Sequence, residues 1–246
     1  MGLNTSLAYL LYRFAWGSLD LLFPPACGGC GKPGSRWCED CRNGVQHLVE
    51  PVCDVCGKSV DEAGLCADCR QVRPQYRLLR SWSVFDAPVR DALHKLKYYG
   101  DMALGDALAA QLVQFVTDLK WPVEMVVPVP LGKKRFQERG YNQVSLIARP
   151  LALAVGMPFA PDALNRVRET RSQVGLGKSE RRLNVSGAFQ ARGTRVKNRI
   201  ILLMDDVATT GATLSSCAEA LYAAGARDVF ALSVSRAFAR HGLNGV

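Results

Sequence analysis

The chain has 246 residues, 48% of them hydrophobic and 22% charged, and a formal net charge of +9. That composition provides for a sizeable core and excludes wholesale disorder; the length fits one large domain, or a medium domain with a small companion. The charge is uneven: residues 164–199 hold ten Lys/Arg against two Glu, whereas residues 1–72 hold six Lys/Arg against eight Asp/Glu. A basic segment in the second half points to an anionic partner there, with a plain solvated loop as the alternative.

The chain opens on "SLAYLLYRFAWGSLDLLF" (Ser6–Phe23), apolar but interrupted by Arg13 and Asp20 and followed by no small-x-small cleavage site. Its uninterrupted apolar length is too short for a membrane span. Leu7, Leu10, Leu11 and Phe14 recur at helical spacing and Leu21 and Leu22 resume that face, with Ser18 breaking the stripe. Residues 1–24 are therefore expected to form an amphipathic helix packed on the body, a weak membrane-surface association being the second option.

Eight of the nine cysteines fall into four C-x-x-C pairs: Cys27/Cys30, Cys38/Cys41, Cys53/Cys56 and Cys66/Cys69. Each pair turns two sulfurs toward one point, and two pairs complete the tetrahedron that Zn²⁺ accepts. Two structural zinc ions in a small unit over residues 25–72 are expected, paired either sequentially or cross-braced. With no export signal, disulfides are disfavoured and a reducing, cytoplasmic compartment is expected, or its membrane's inner face. A segment this short depends on metal for much of its stability. Cys217 stands apart inside a helical pattern and reads as core.

After a linker ("QVRPQYR"), "LLRSWSVFD" alternates as a strand, "APVRDALHKLKYYG" reads as a helix ending at Gly100, and "LGDALAAQLVQFVTDLK" as another. "VEMVVPVP" is a short strand stopped by Pro128 and Pro130, and "YNQVSLIARPLALAVG" a helix with a kink expected at Pro150. The basic stretch shows little apolar periodicity. A strand at Ile200–Met204, a helix from about Thr213 to Ala224 and a strand in "DVFALSVSRA" complete a domain over residues 76–246. Strands alternating with helices predict an α/β fold with a parallel sheet.

In "IILLMDDVATTGATL" (200–214) an apolar strand meets two acids and then a loop of small and hydroxylated residues. Ligands of parallel sheets sit at the strands' C-terminal ends. Gly211 permits a turn that points amides inward, the next helix presents its positive end, and Thr209, Thr210 and Thr213 add hydroxyls, so a phosphate fits. Asp205 and Asp206 would repel that phosphate, so they must face a diol or a cation. A phosphorylated sugar meets both demands. The stretch resembles the phosphoribosyl pyrophosphate (PRPP) motif of type I phosphoribosyltransferases, and it lacks the G-K-[ST] ending of a Walker loop.

With "LLFPPACGGC", "VVPVPLGKKRFQERGYNQ" and "LNRVRETRSQVGLGKSERRLNVSGAF", almost the whole chain resembles the ComF family, which joins a double zinc ribbon to a phosphoribosyltransferase domain and is associated with DNA uptake in natural competence. The resemblance implies PRPP binding with Mg²⁺ by Asp205, Asp206, Ala208, Thr209, Thr210, Gly211, Ala212 and Thr213, with catalytic roles for the two acids. It places the pyrophosphate at Pro128, Val129, Pro130 and Leu131, where one peptide is a candidate for a non-trans bond, and near Arg139, Asn142 and Gln143. Arg168, Thr170, Gln173, Arg181 and Asn184 match a mobile loop that closes over substrate. Lys97 and Tyr98 match a family "K-Y" to which no role attaches. Lys133, Lys134 and Arg135 read as a surface charge run.

Thr209 stands where transferases specific for 6-oxopurines carry an Asp, which disfavours such an acceptor, and no glutaminase-like nucleophile precedes the domain. Two functions of different class follow. One is an enzyme transferring a 5-phosphoribosyl group. The other is a non-catalytic sensor of PRPP or a nucleotide whose zinc ribbons and basic stretch engage single-stranded DNA or a protein of the competence machinery. Aromatics are sparse in residues 164–199, where Phe189 stands alone.

Overall fold

The computed structural model describes residues 24–170 and 178–238. The helix expected over 1–24, apart from Pro24, and Gln173 lie outside the described residues, as does the side chain of Arg181.

Two short helices, α1 (Glu39–Asn43) and α2 (Ala67–Gln71), belong to the cysteine-rich unit. Then follow β1 (Leu78–Val84), α3 (Val89–Tyr98), α4 (Leu104–Asp118), β2 (Met125–Pro128), α5 (Lys133–Arg139) and α6 (Gln143–Ala154). The basic stretch carries β3 (Leu164–Arg166), α7 (Lys178–Val185), β4 (Phe189–Ala191) and α8 (Gly193–Val196). The chain ends on β5 (Ile200–Ala208), α9 (Ala212–Ala223) and β6 (Asp228–Arg236).

The main sheet has the order β1-β6-β5-β2 with every pair parallel, the α/β class expected from the alternating elements. Helices can cover both faces because β5 is apolar throughout its first half and alternate side chains leave on opposite sides. Leu202 and Met204 join Leu93, Leu96, Leu104, Leu108, Ile147 and Leu151 of α3, α4 and α6 in one core. Ile201 and Leu203 join Leu214, Cys217, Ala218 and Leu221 of α9 in the other, where Cys217 is buried.

Three local features have physical causes. First, β5 does not stop at Met204 but runs through both acids, since Asp205 and Val207 stay in register with Ser233 and Ser235 of β6. Second, Pro150 lies inside α6. It leaves the Leu146 carbonyl without its usual amide donor, and that carbonyl faces Gly105 of α4, where a Cβ would lie 2.5 Å away. Third, the basic stretch is not featureless: β3 and β4 pair antiparallel, Leu164 opposite Ala191.

The cysteine-rich unit straddles the open edge of the sheet. Its first half, with Cys27, Trp37 and Cys41, joins one core and its second, with Cys53, Val55 and Cys56, the other. Between them β1 receives bonds along its outer side. The Leu79 amide donates to the Val55 carbonyl (2.7 Å), the Val84 amide donates to Gln46 (2.8 Å), and His47 Nδ1 bonds the Trp82 carbonyl (2.8 Å).

Candidate functional site

The cysteines gather sequentially, which resolves the pairing. Cys27, Cys30, Cys38 and Cys41 bring their sulfurs within 4.8 Å of one another, and so do Cys53, Cys56, Cys66 and Cys69. Cys30 and Cys38 sulfurs are 3.6 Å apart, Cys56 and Cys66 sulfurs 3.7 Å. Sulfurs about 2.3 Å from a tetrahedral Zn²⁺ lie at such separations. Amides of Cys38 and Cys66 donate to Cys27 and Cys53 sulfurs, which favours thiolate. Four sulfurs fit zinc and fill every ligand position, so these ions are structural.

A cleft opens at the C-terminal ends of β2 and β5, lined by Lys97, Val129, Pro130, Leu131, Arg135, Arg139, Asn142, Gln143, Arg166, Thr170, Asp205, Asp206 and the loop from Ala208 through Thr213, Thr210 excepted. Of the residues expected there, Pro128 and Thr210 stand back. Thr210 Oγ1 accepts from the Ala212 amide (3.3 Å), and Thr210 faces the opposite side of the loop. Among the described residues, the amides of Thr209, Thr210 and Gly211 donate to no protein acceptor. Gly211 takes φ +77°, a left-handed value, and a Cβ there would lie 2.6 Å from the Tyr76 hydroxyl. Tyr76 is buried beneath the loop, its hydroxyl without a partner among the described residues.

The two acids divide. Asp206 is committed to the protein: its Oδ2 meets Lys97 Nζ at 3.2 Å and accepts from Gln143 Nε2 at 2.8 Å, and its Oδ1 accepts from the Val207 amide at 2.7 Å. Burial alone would push this carboxyl up, but Lys97 and then Gln143 outweigh it and hold it below the ordinary carboxylate range. Asp205 forms no ion pair among the described residues; burial and then the neighbouring Asp206 charge push it well above that range, against the more distant pull of Lys97. Both acids line the cleft, but protein donors hold both oxygens of Asp206, whereas Asp205 accepts only the Asp206 amide, at Oδ1 (2.9 Å), among the described residues. Only Asp205 is left to receive a ligand's donors.

Other predicted residues take defined places. Asn142 caps α6 by accepting from the Val144 amide (3.0 Å), and its Nδ2 donates to the Val129 carbonyl (3.0 Å), tying the 128–131 loop to α6. The peptides at 128–131 are trans; among the described residues the cis bonds are Glu50–Pro51 and Ala87–Pro88. Arg139 Nη1 donates to Gln143 Oε1 (2.9 Å), extending the Asp206 network to the cleft mouth. Glu169 Oε1 accepts from the Lys133 amide (2.6 Å) at the start of α5. Arg168 points elsewhere, donating to the carbonyls of Asn184 (3.0 Å) and Ser186 (2.6 Å), whereas Thr170 bonds Arg166 in the cleft.

The sequence gives Lys97, Arg135 and Arg166 no role in the cleft, and one signal could have found Lys97. It follows Val89 and Leu93 at four-residue steps, so it sits on the buried stripe of α3, where a lysine needs a counter-charge.

Residues 18–70 match the double zinc ribbon domain. The chain is 33% identical over 220 residues to DNA utilization protein YhgH of Salmonella typhimurium, covering 85% of this chain and 96% of that one. It is 28% identical over 209 residues to competence protein F of Haemophilus influenzae, covering 81% and 90%. Among solved structures, the adenine phosphoribosyl transferase of Trypanosoma brucei, in complex with AMP, pyrophosphate and ribose-5-phosphate, aligns at 14% identity and a TM-score of 0.39 over 66% of this chain and 72% of that one. Paired tetracysteine sites, a parallel sheet behind them and identity sustained along nearly a whole relative lead to one conclusion: the chain belongs to the ComF family.

Proposed function

We propose that the cleft binds PRPP with Mg²⁺ and that the protein transfers, or senses, its 5-phosphoribosyl group in the service of DNA use, the role named for its relatives. One observation carries this reading: at the end of a central parallel strand, three amides without acceptors among the described residues adjoin a carboxyl that forms no ion pair there, opposite the loop at Val129–Leu131. The amides of Thr209, Thr210 and Gly211 and the start of α9 suit the 5′-phosphate. Asp205 accepts from ribose hydroxyls. Lys97 and Gln143 hold Asp206, and through it the strand end, in place without meeting the ligand.

On this reading the diphosphate lies against the 128–131 loop and Arg139, whose charge stabilises it as it leaves. Mg²⁺, when bound, neutralises diphosphate charge and keeps most of its ligands as ligand oxygens and water. The chain's part is alignment: holding the phosphate and diphosphate ends apart so that the anomeric carbon is open to attack. Thr209 supplies no base for an incoming purine.

Calorimetric titration with PRPP in the presence of Mg²⁺ tests the assignment. Asp205→Asn should weaken binding by at least about tenfold, since a carboxylate accepting ligand hydroxyls makes charge-assisted bonds of about 1.5–3 kcal/mol. Unchanged affinity in this variant, or no binding by the parent, removes the reading. Release of pyrophosphate with a nucleobase acceptor would favour transfer over sensing.

A further inference from the structure

We propose that the surface formed by α5 and the end of α3 is a binding track for single-stranded nucleic acid, running beside the cleft mouth and separate from the basic stretch. Helix α5, "KKRFQER", buries none of its residues. It carries four cations against one acid, and Phe136 on it is 50% exposed. At the end of α3, Tyr98 is 51% and Tyr99 74% exposed. The two elements make one surface: the Arg139 guanidinium lies 4.8 Å from the Tyr98 ring centroid, and the His94 ring lies 4.8 Å from Tyr98 and 5.7 Å from Tyr99.

This combination is what an unpaired strand needs. Bases with both faces free stack on aromatic rings whatever their identity, while flanking cations follow the phosphates. Lys133, Lys134 and Arg135 enter no ion pair among the described residues, so their charge is available. A duplex hides its base faces and could not use the rings. A bilayer would demand a continuous apolar helix face, and Phe136 is the only apolar side chain on α5.

The segment 164–199, where sequence charge pointed, is worse suited. Its one aromatic, Phe189, is buried, with Arg166 5.7 Å from its centroid. Among its described side chains, Arg168 donates to two carbonyls, Arg192 and Arg195 pair with Asp162, and Arg199 pairs with Glu124.

Fluorescence anisotropy of the full chain with a labelled oligothymidylate of about 20 nucleotides tests the track, read across a KCl series. The wild type should bind with affinity falling steeply with salt. Tyr99→Ser with Phe136→Ser should weaken binding at least about tenfold. Lys133→Gln with Lys134→Gln should reduce the slope of log K against log salt by about 1.4, two phosphate contacts' worth. All four residues are exposed and outside the cleft lining, so thermal midpoint and PRPP binding should not change. The proposal is overturned if the wild type does not bind, if both variants bind as it does, or if a duplex of equal length binds as well. It is equally overturned if these substitutions abolish binding to phosphatidylglycerol vesicles while leaving oligonucleotide affinity intact, since the surface then serves a membrane.

Discussion

Replacing Lys97 by Met leaves Asp206 charged and buried without its cation. The two side chains are only 6% and 8% exposed and 3.2 Å apart, so solvent screens them little. At an effective dielectric constant of 20 their attraction is about 5 kcal/mol. Gln143 and the Val207 amide would still bond the carboxylate, so the expected loss lies at the lower end of the range for breaking a buried pair, about 3 kcal/mol. With a urea slope of about 2 kcal/mol/M, the unfolding midpoint falls by about 1.5 M. The sign of the pH dependence follows from the carboxyl. In the wild type Asp206 is held below its unfolded value, so its contribution is complete above that value and is lost as pH falls through the lower, folded one. In Lys97→Met burial is no longer opposed by a cation and the carboxyl rises, so the deficit is largest near pH 8 and shrinks toward pH 5 as the proton is taken up. Lys97→Met/Asp206→Asn should recover at least half of the loss, no charge being stranded. Urea melts across pH decide: a deficit under about 1 kcal/mol, a flat pH profile, or strict additivity in the double variant would refute the assignment of Lys97 as counter-charge.

Gly211→Ala and Gly100→Ala form a matched pair. Both positions have left-handed backbone, but among the described residues only at 211 does the new methyl meet a neighbour, the Tyr76 hydroxyl, and nothing lies within 4 Å at 100. Gly100→Ala should cost about 1 kcal/mol of strain, and Gly211→Ala more, with loss of PRPP binding; equal stability loss by thermal melting would contradict the packing under the loop. Cys66→Ala should lower the zinc released to a colorimetric chelator from two ions per chain to one and lower the thermal midpoint by several degrees, since its site is part of the core beneath β1. Two ions retained, or an unshifted midpoint, would refute a metal-dependent core.

Much of this was legible because it is local. C-x-x-C spacing, the apolar runs of β5 and β6 and the punctuation by Gly100 and Gly211 each act within a few residues. The misreadings all involve partners distant in sequence. The apolar run ends at Met204, yet Asp206 continues β5 where α3 delivers Lys97 and α6 delivers Gln143. The pairing of β3 with β4 is invisible in strands of three residues separated by a helix. Asn142 reads equally well as a ligand residue or a cap, and its sequence cannot say that its amide ties the 128–131 loop. Neither could spacing reveal that the ribbons lie on both sides of β1.

That saddle over β1 has a consequence for metal loss. Stripping zinc would do more than unravel a small appendage: it would uncover the backbone donors of Leu79 and Val84 and the Trp82 carbonyl on the flank of a well-ordered strand. A bare flank of this kind recruits further strands, so the demetallated protein should self-associate through β1 rather than persist as a tidy monomer.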